Sequence, residues 1–150
     1  MTELLHFEDF RAGQTFSFGR YEVTKEEIVA FAREYDPQPH HLDEEAGRKT
    51  MLGGLSASGW HVCAMAMRMM ADGMFRRCNS QGAPGVEDCR WTRPVRPGDS
   101  LRMQAEVLET RASKSKPGIG FVKFRWSMFN QREQVASFVS SPMLTRRERN

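Results

Sequence analysis

Residues 58–75 read Ser58-Gly59-Trp60-His61-Val62-Cys63-Ala64-Met65-Ala66-Met67-Arg68-Met69-Met70-Ala71-Asp72-Gly73-Met74-Phe75. The run predicts a helix extending to about Arg77, with Ser56 or Ser58 as its amino-terminal cap. Apolar side chains occupy most of its circumference, and a helix of that kind has to be wrapped by other structure. The wrapping material lies further along the chain. Leu101, Met103, Ala105 and Val107 alternate with Arg102, Gln104 and Glu106, and Val122, Phe124, Trp126 and Met128 alternate with Lys123, Arg125 and Ser127. That two-residue period predicts strands with one face buried. Further strands are predicted over 86–95 and 134–143, with turns at Pro97-Gly98-Asp99 and Lys116-Pro117-Gly118. The reading is α+β: an antiparallel sheet curved around one long helix.

Upstream, residues 15–23 predict a first strand with Phe16 and Phe18 on one face and Gly19 loosening it. A helix then starts at Thr24, whose Glu27 completes a capping box, while Val23 and Ile28 are placed for a hydrophobic staple. Ile28, Phe31, Ala32 and Tyr35 recur at helical spacing and predict one buried stripe. Pro37 and Pro39 each push the preceding residue out of helical space, so this helix stops near Tyr35. A short polar helix is expected over 42–49, with acids early and bases late in agreement with the helix dipole. Gly53-Gly54 breaks the chain, and a loose tail is expected over 146–150.

At 150 residues the chain is read as a single domain, 1–150, long enough for a sizeable core. The balance of 22 basic to 19 acidic residues gives a net charge of +3, mild enough to suit an anionic ligand without implying nucleic acid. No stretch reaches the ~20 apolar residues of a membrane span. The start, Met1-Thr2-Glu3-Leu4-Leu5-His6, lacks the basic and apolar regions of a secretory leader. Three cysteines with no CxxC spacing read as reduced thiols in a cytoplasm.

The stiff stretch Asp36-Pro37-Gln38-Pro39-His40-His41-Leu42-Asp43 is the natural place to look for chemistry. On residue chemistry alone the alternatives stay open: Asp36 as a helix stop and turn-former, His41 as a surface or capping residue. His40, His41 and Asp43 have no companions at metal spacing, so no metal is expected. His61 reads as a hydrogen-bonded core residue, and Ser56 and Ser58 as caps. Arg93, Arg96, Arg111, Lys114, Lys116 and Lys123 are either solvated sheet-edge residues or contacts for phosphates.

Four segments together resemble the MaoC-like dehydratase family, which includes the R-specific enoyl-CoA hydratases. They are Tyr21-x-Val23-Thr24, Phe31-Ala32-x-x-Tyr35-Asp36-Pro37-Gln38-Pro39-x-His41-x-Asp43, Gly53-Gly54-Leu55-x-Ala57-Ser58-Gly59-Trp60-His61 and Arg93-Pro94-Val95-Arg96-Pro97-Gly98-Asp99. The resemblance implies a hot-dog fold, pairing of two copies through their sheets, and water addition or removal on an enoyl-CoA thioester. It implies Asp36 and His41 as the catalytic pair and the Gly59 N–H as the donor that polarises the thioester carbonyl. Gly54, Ser58, Trp60, Arg93 and Arg96 are assigned to substrate binding, with coenzyme A part of the substrate and no other cofactor. Gln38, His40 and Ser58 depart from the family's usual residues, which bears on the acyl pocket more than on the reaction class. The competing readings are a hot-dog acyl-CoA thioesterase and a non-catalytic acyl-CoA-binding protein.

Overall fold

A computed structural model describes residues 3–147. Its elements run β1 (Thr15–Glu22), α1 (Lys25–Tyr35), α2 (Glu44–Arg48), α3 (Gly59–Gly73), β2 (Val86–Trp91), β3 (Ser100–Ala112), β4 (Ile119–Phe129), β5 (Gln134–Ser140) and β6 (Met143–Thr145). The strands form one antiparallel sheet in the order β1-β3-β4-β5-β2, with β6 added to β4. This is the hot-dog architecture, with α3 lying against β1 and β3 inside the curve of the sheet.

The two-residue alternation settles which face of the sheet is inside. Leu101, Met103, Ala105 and Val107 on β3 and Val122, Phe124, Trp126 and Met128 on β4 are all buried, and they meet Val62, Met65, Ala66, Met69 and Met70 of α3. Trp126 is fully buried; its indole N–H donates to the Ser140 hydroxyl at 2.8 Å, so its polar edge is not stranded in the core. Gly19 sits at φ +88 where β1 slips register between Phe18 and Tyr21, and a side chain there would collide with Met69. The glycine therefore both permits the bulge and lets α3 approach.

Several boundaries differ from the sequence reading. The long helix stops at Gly73, and Phe75–Arg77 forms a separate 3₁₀ turn. Its circumference is not wholly covered: Trp60 is 67% and Met67 49% exposed, on the flank beyond edge strand β2. Tyr35 does not join the buried stripe of α1 and is 69% exposed, because the helix ends there and the chain turns away. The polar helix is shorter than 42–49, with Asp43 as cap. The strand expected over 86–95 ends at Trp91, after which the N–H groups of Thr92 and Arg93 converge on the Val135 carbonyl. The strand expected over 134–143 is split at Pro142, which has no N–H for a ladder, into β5 and β6. Within the tail, Arg146 and Arg147 are anchored, the latter to Asp9 at 2.7 Å and Glu3 at 3.3 Å. Residues 148–150 lie outside the described residues.

Candidate active site

Asp36 closes α1, and its own N–H still bonds back to the Ala32 carbonyl at 2.9 Å. The two prolines then act in different ways. Pro37 takes the chain out of the helix, and the Gln38 N–H folds back onto the Asp36 carbonyl at 2.8 Å. Pro39 opens a 3₁₀ turn, Pro39–His41, where its missing N–H and fixed φ do no harm. This tight bend brings two side chains five positions apart onto one side. His41 Nε2 lies 3.3 Å from Asp36 Oδ2.

The other face of the imidazole is held by the main chain. His41 Nδ1 is 2.6 Å from the Ser56 carbonyl oxygen, which only accepts, so Nδ1 carries the proton. In the neutral ring Nε2 then presents a lone pair to the Asp36 carboxylate. At 3.3 Å no further atom fits between them, so a water that meets both sits to one side of the pair and donates to each. The Ser56 N–H in turn reaches the His40 carbonyl at 3.3 Å, so the 3₁₀ turn and the strand-like segment before α3 are tied twice.

Electrostatics keep the carboxylate ionised. The Gln38 side-chain amide donates to Asp36 Oδ1 at 2.6 Å and is the leading reason the carboxyl sits below its ordinary value. Burial opposes this, and the Ser58 hydroxyl, His41 and His40 add to the lowering. Ser58 Oγ lies near the carboxylate but outside hydrogen-bonding geometry, and Ser56 and Ser58 Oγ are both buried without a partner among the described residues. His40 meets His41 edge to face, ring centroids 4.1 Å apart; burial, then its neighbour, hold its imidazole below the ordinary value.

Ser58 occupies the cap position of α3, yet its side chain makes no capping bond. Among the described residues the first-turn N–H groups of α3, beginning with Gly59, have no side-chain acceptor, next to the positive end of the helix dipole. Gly59 is required here for space. A Cβ would fall 2.6–2.9 Å from three ring atoms of Trp91, which lies across the start of the helix. His41 and Gly59 line a single cleft of about 310 Å³, whose walls include His40, Leu52, Trp91 and Val95. Asp36 is in contact with His41 but is not among the residues lining that cleft.

The other residues assigned from sequence fall in different places. Ser58 lies buried beside Asp36. Trp60 is outside the cleft, edge-on to Trp91 at 5.4 Å. Gly54 also lies off the cleft, and a Cβ there would run into the Arg96 guanidinium and the Glu44 carboxylate. Arg96 donates to the Leu52 carbonyl and so holds the glycine loop. Arg93 stands on the cleft rim, 3.5 Å from Glu133. Arg93 and Arg96 also share a neighbouring polar basin of about 650 Å³ with Arg132. His61 stays apart, stacked on Phe31 at 4.5 Å, with burial lowering its basicity. Sequence reasoning missed two participants. The Ser56 carbonyl leaves no trace in residue identity, and Trp91 reads only as one more strand aromatic.

Among the described residues no three His, Cys, Asp or Glu side chains cluster as a metal site. Nor is any helix there long and apolar enough to cross a membrane.

The chain is 38% identical to a MaoC-like dehydratase from Rhodospirillum rubrum, whose structure superposes with a TM-score of 0.85 over 95% of this chain and 98% of that one. The protein YdeM of Bacillus subtilis (strain 168) is 30% identical over 129 residues, 86% of this chain and 90% of YdeM. The R-hydratase PhaJ1 from Pseudomonas aeruginosa, at 24% identity, shares the fold with a TM-score of 0.73 over 93% of this chain and 85% of its own. The family model described as MaoC like domain matches residues 9–120. With its Asp36–His41 bend, uncapped α3 and Gly98-Asp99 turn all inside that span, the chain belongs to the MaoC-like domain family.

Proposed function

We propose that this chain is a hydratase or dehydratase that adds water across, or removes it from, the α,β bond of an enoyl-CoA-type thioester. The observation that carries the reading is the 3.3 Å approach of Asp36 Oδ2 to His41 Nε2, with Nδ1 pinned by a carbonyl, in a site whose cleft also reaches Gly59. One water held against both the carboxylate and the imidazole, to one side of the pair, would lose a proton to them as its oxygen attacks the β-carbon. The pair would return a proton to the α-carbon, leaving its own protonation unchanged. Charge building on the thioester oxygen would be met by the Gly59 N–H, where the absence of a cap leaves a donor ready.

The neighbouring basin with Arg93, Arg96 and Arg132 supports coenzyme A as the thiol, since guanidinium groups suit phosphate oxygens. The partner we propose is a second copy of this chain. Among the described residues strand β2 ends the sheet with one edge unpaired, and exposed Val86, Met67, Trp60 and Trp91 continue along that side. Three free cysteines support a reducing cytoplasm.

The deciding experiment follows absorbance of the enoyl-thioester band across a panel of CoA esters while titrating released thiol. Loss of the band without thiol release is the expected result. Thiol release without hydration would make the protein a thioesterase, and binding without either would make it an acyl-CoA-binding protein. Light scattering on the purified chain should give twice the monomer mass; a monomer would remove the proposed partner.

A further inference from the structure

We propose that Cys63 and Cys89 form an oxidisable dithiol, a modification site that closes into an intrachain disulfide joining α3 to edge strand β2. The two sulfurs lie 3.8 Å apart although the residues are 26 positions apart in the chain. Both are half-buried and unbridged, whereas Cys78 is buried elsewhere, where its backbone bridges to Leu5. Cys89 turns inward onto the core instead of along the open edge of β2.

A second observation concerns the backbone that has to move. The β2–β5 ladder slips register between Glu87 and Arg90, and Asp88 adopts φ +49, a left-handed conformation that non-glycine residues seldom take. Cys89 therefore sits in a segment released from regular pairing, able to shift without breaking a continuous ladder. A disulfide brings its sulfurs to about 2.0 Å, so the bond asks only for a small local adjustment here. The position gives the bond a consequence. Cys63 is one turn past Gly59, and Cys89 is two residues before Trp91, which lies on Gly59. Closing the bond would tie the amino-terminal half of α3 to the strand that carries the cleft's indole wall.

The oxidant is a peroxide. The Cys63 thiolate attacks a peroxide oxygen, giving a sulfenic acid and one water. The Cys89 sulfur then displaces the sulfenic oxygen, which leaves as a second water. Two thiols and one hydrogen peroxide become one disulfide and two waters, with two electrons passing from sulfur to oxygen. Burial, reinforced by the neighbouring Cys63, pushes the Cys89 thiol up to about 11. The Cys89 sulfur, 3.8 Å away, is the one placed to resolve a sulfenic acid on Cys63.

The test treats the folded full-length chain with hydrogen peroxide and then counts thiols under denaturing conditions. The expected fall is from three thiols to one, with loss of the mass of two hydrogens, a cross-linked peptide pair containing Cys63 and Cys89, and reversal by dithiothreitol. Cys63→Ser and Cys89→Ser should each abolish the cross-link, and Cys78→Ser should keep it. Three thiols remaining after treatment would overturn the proposal. So would oxygen adducts on Cys63 without a cross-link, or a bond joining two chains. None of these readouts depends on the substrate assigned to the cleft.

Discussion

The chain contains two helix amino ends that begin with a hydroxyl residue and finish differently. At α1 the end is closed. Thr24 Oγ1 accepts the Glu27 N–H at 3.2 Å, the Glu27 carboxylate reaches back to the Thr24 N–H, and the Tyr21 hydroxyl donates to that same carboxylate at 2.9 Å. At α3 the end is open: Ser58 makes no cap, and the third helical residue is His61, stacked on Phe31, where α1 has its glutamate. Helix amino ends that are satisfied internally serve stability. One left unsatisfied beside a cleft holds donors in reserve for something else. Neither Ser nor Thr distinguishes the two cases; the residue three positions on does.

The largest expected effect breaks the open end's chemistry. Asp36→Asn or His41→Ala should reduce turnover on an enoyl thioester by roughly 10²–10⁴-fold. The thermal unfolding midpoint should change little for Asp36→Asn, whereas His41→Ala should lower it, because a buried imidazole and its bond to the Ser56 carbonyl are lost. A variant that unfolds would mean the pair is structural, and one that retains activity would end its catalytic assignment. Gly59→Ala drives a methyl into the Trp91 ring and should destabilise by ~1–3 kcal/mol through overpacking. Adding Trp91→Ala should recover most of that loss in a double-mutant cycle; additive effects would show that the ring and the glycine do not meet.

The closed and open ends can then be weighed directly by denaturant unfolding. Thr24→Ala should cost about 1 kcal/mol, because a working cap is lost. Ser58→Ala should cost clearly less than that, since its hydroxyl makes no cap and only helps hold the nearby Asp36 carboxylate. Equal losses at both sites would erase the distinction. The smallest expected effect is on pH dependence. His61 is held neutral by burial, so its folded pKa lies below the ordinary 6.5. The unfolded chain then binds more protons below that value, and the stability His61 contributes is complete above it and lost as pH falls. His61→Phe should flatten the acid limb of stability against pH, and an unchanged limb would place its cause elsewhere.

Most of the fold was legible because periodicity reports burial directly. The alternation on β3 and β4 and the all-apolar run of α3 leave few other arrangements. Boundaries were harder wherever backbone accounting decided them. Pro142 splits a strand because of one missing N–H, and β2 ends early because two N–H groups converge on Val135. Tyr35 keeps the helical spacing of its stripe but lies at the turn where the stripe has nothing left to cover. Asp36, His41 and Gly59 were legible only as members of a motif, since spacing alone leaves the two side chains on opposite faces of an extended chain. Gly54 and Arg96 were assigned to ligand; in the structure the Arg96 guanidinium lies close over Gly54 and holds the loop at Leu52, and Arg96 also lines the basin beside the cleft. Trp91 and the Ser56 carbonyl were not readable, because one is a generic strand aromatic and the other belongs to every residue.

That carbonyl has a consequence for anyone redesigning the protein. Because an atom of the main chain selects which nitrogen of His41 is basic, exchanging the side chain at position 56 would leave that selection in place. Inserting or deleting a residue between Gly54 and Ser58 would move the oxygen itself. The choice between the two ring nitrogens is therefore a matter of loop length, and libraries built only from point substitutions at this position would leave it untouched.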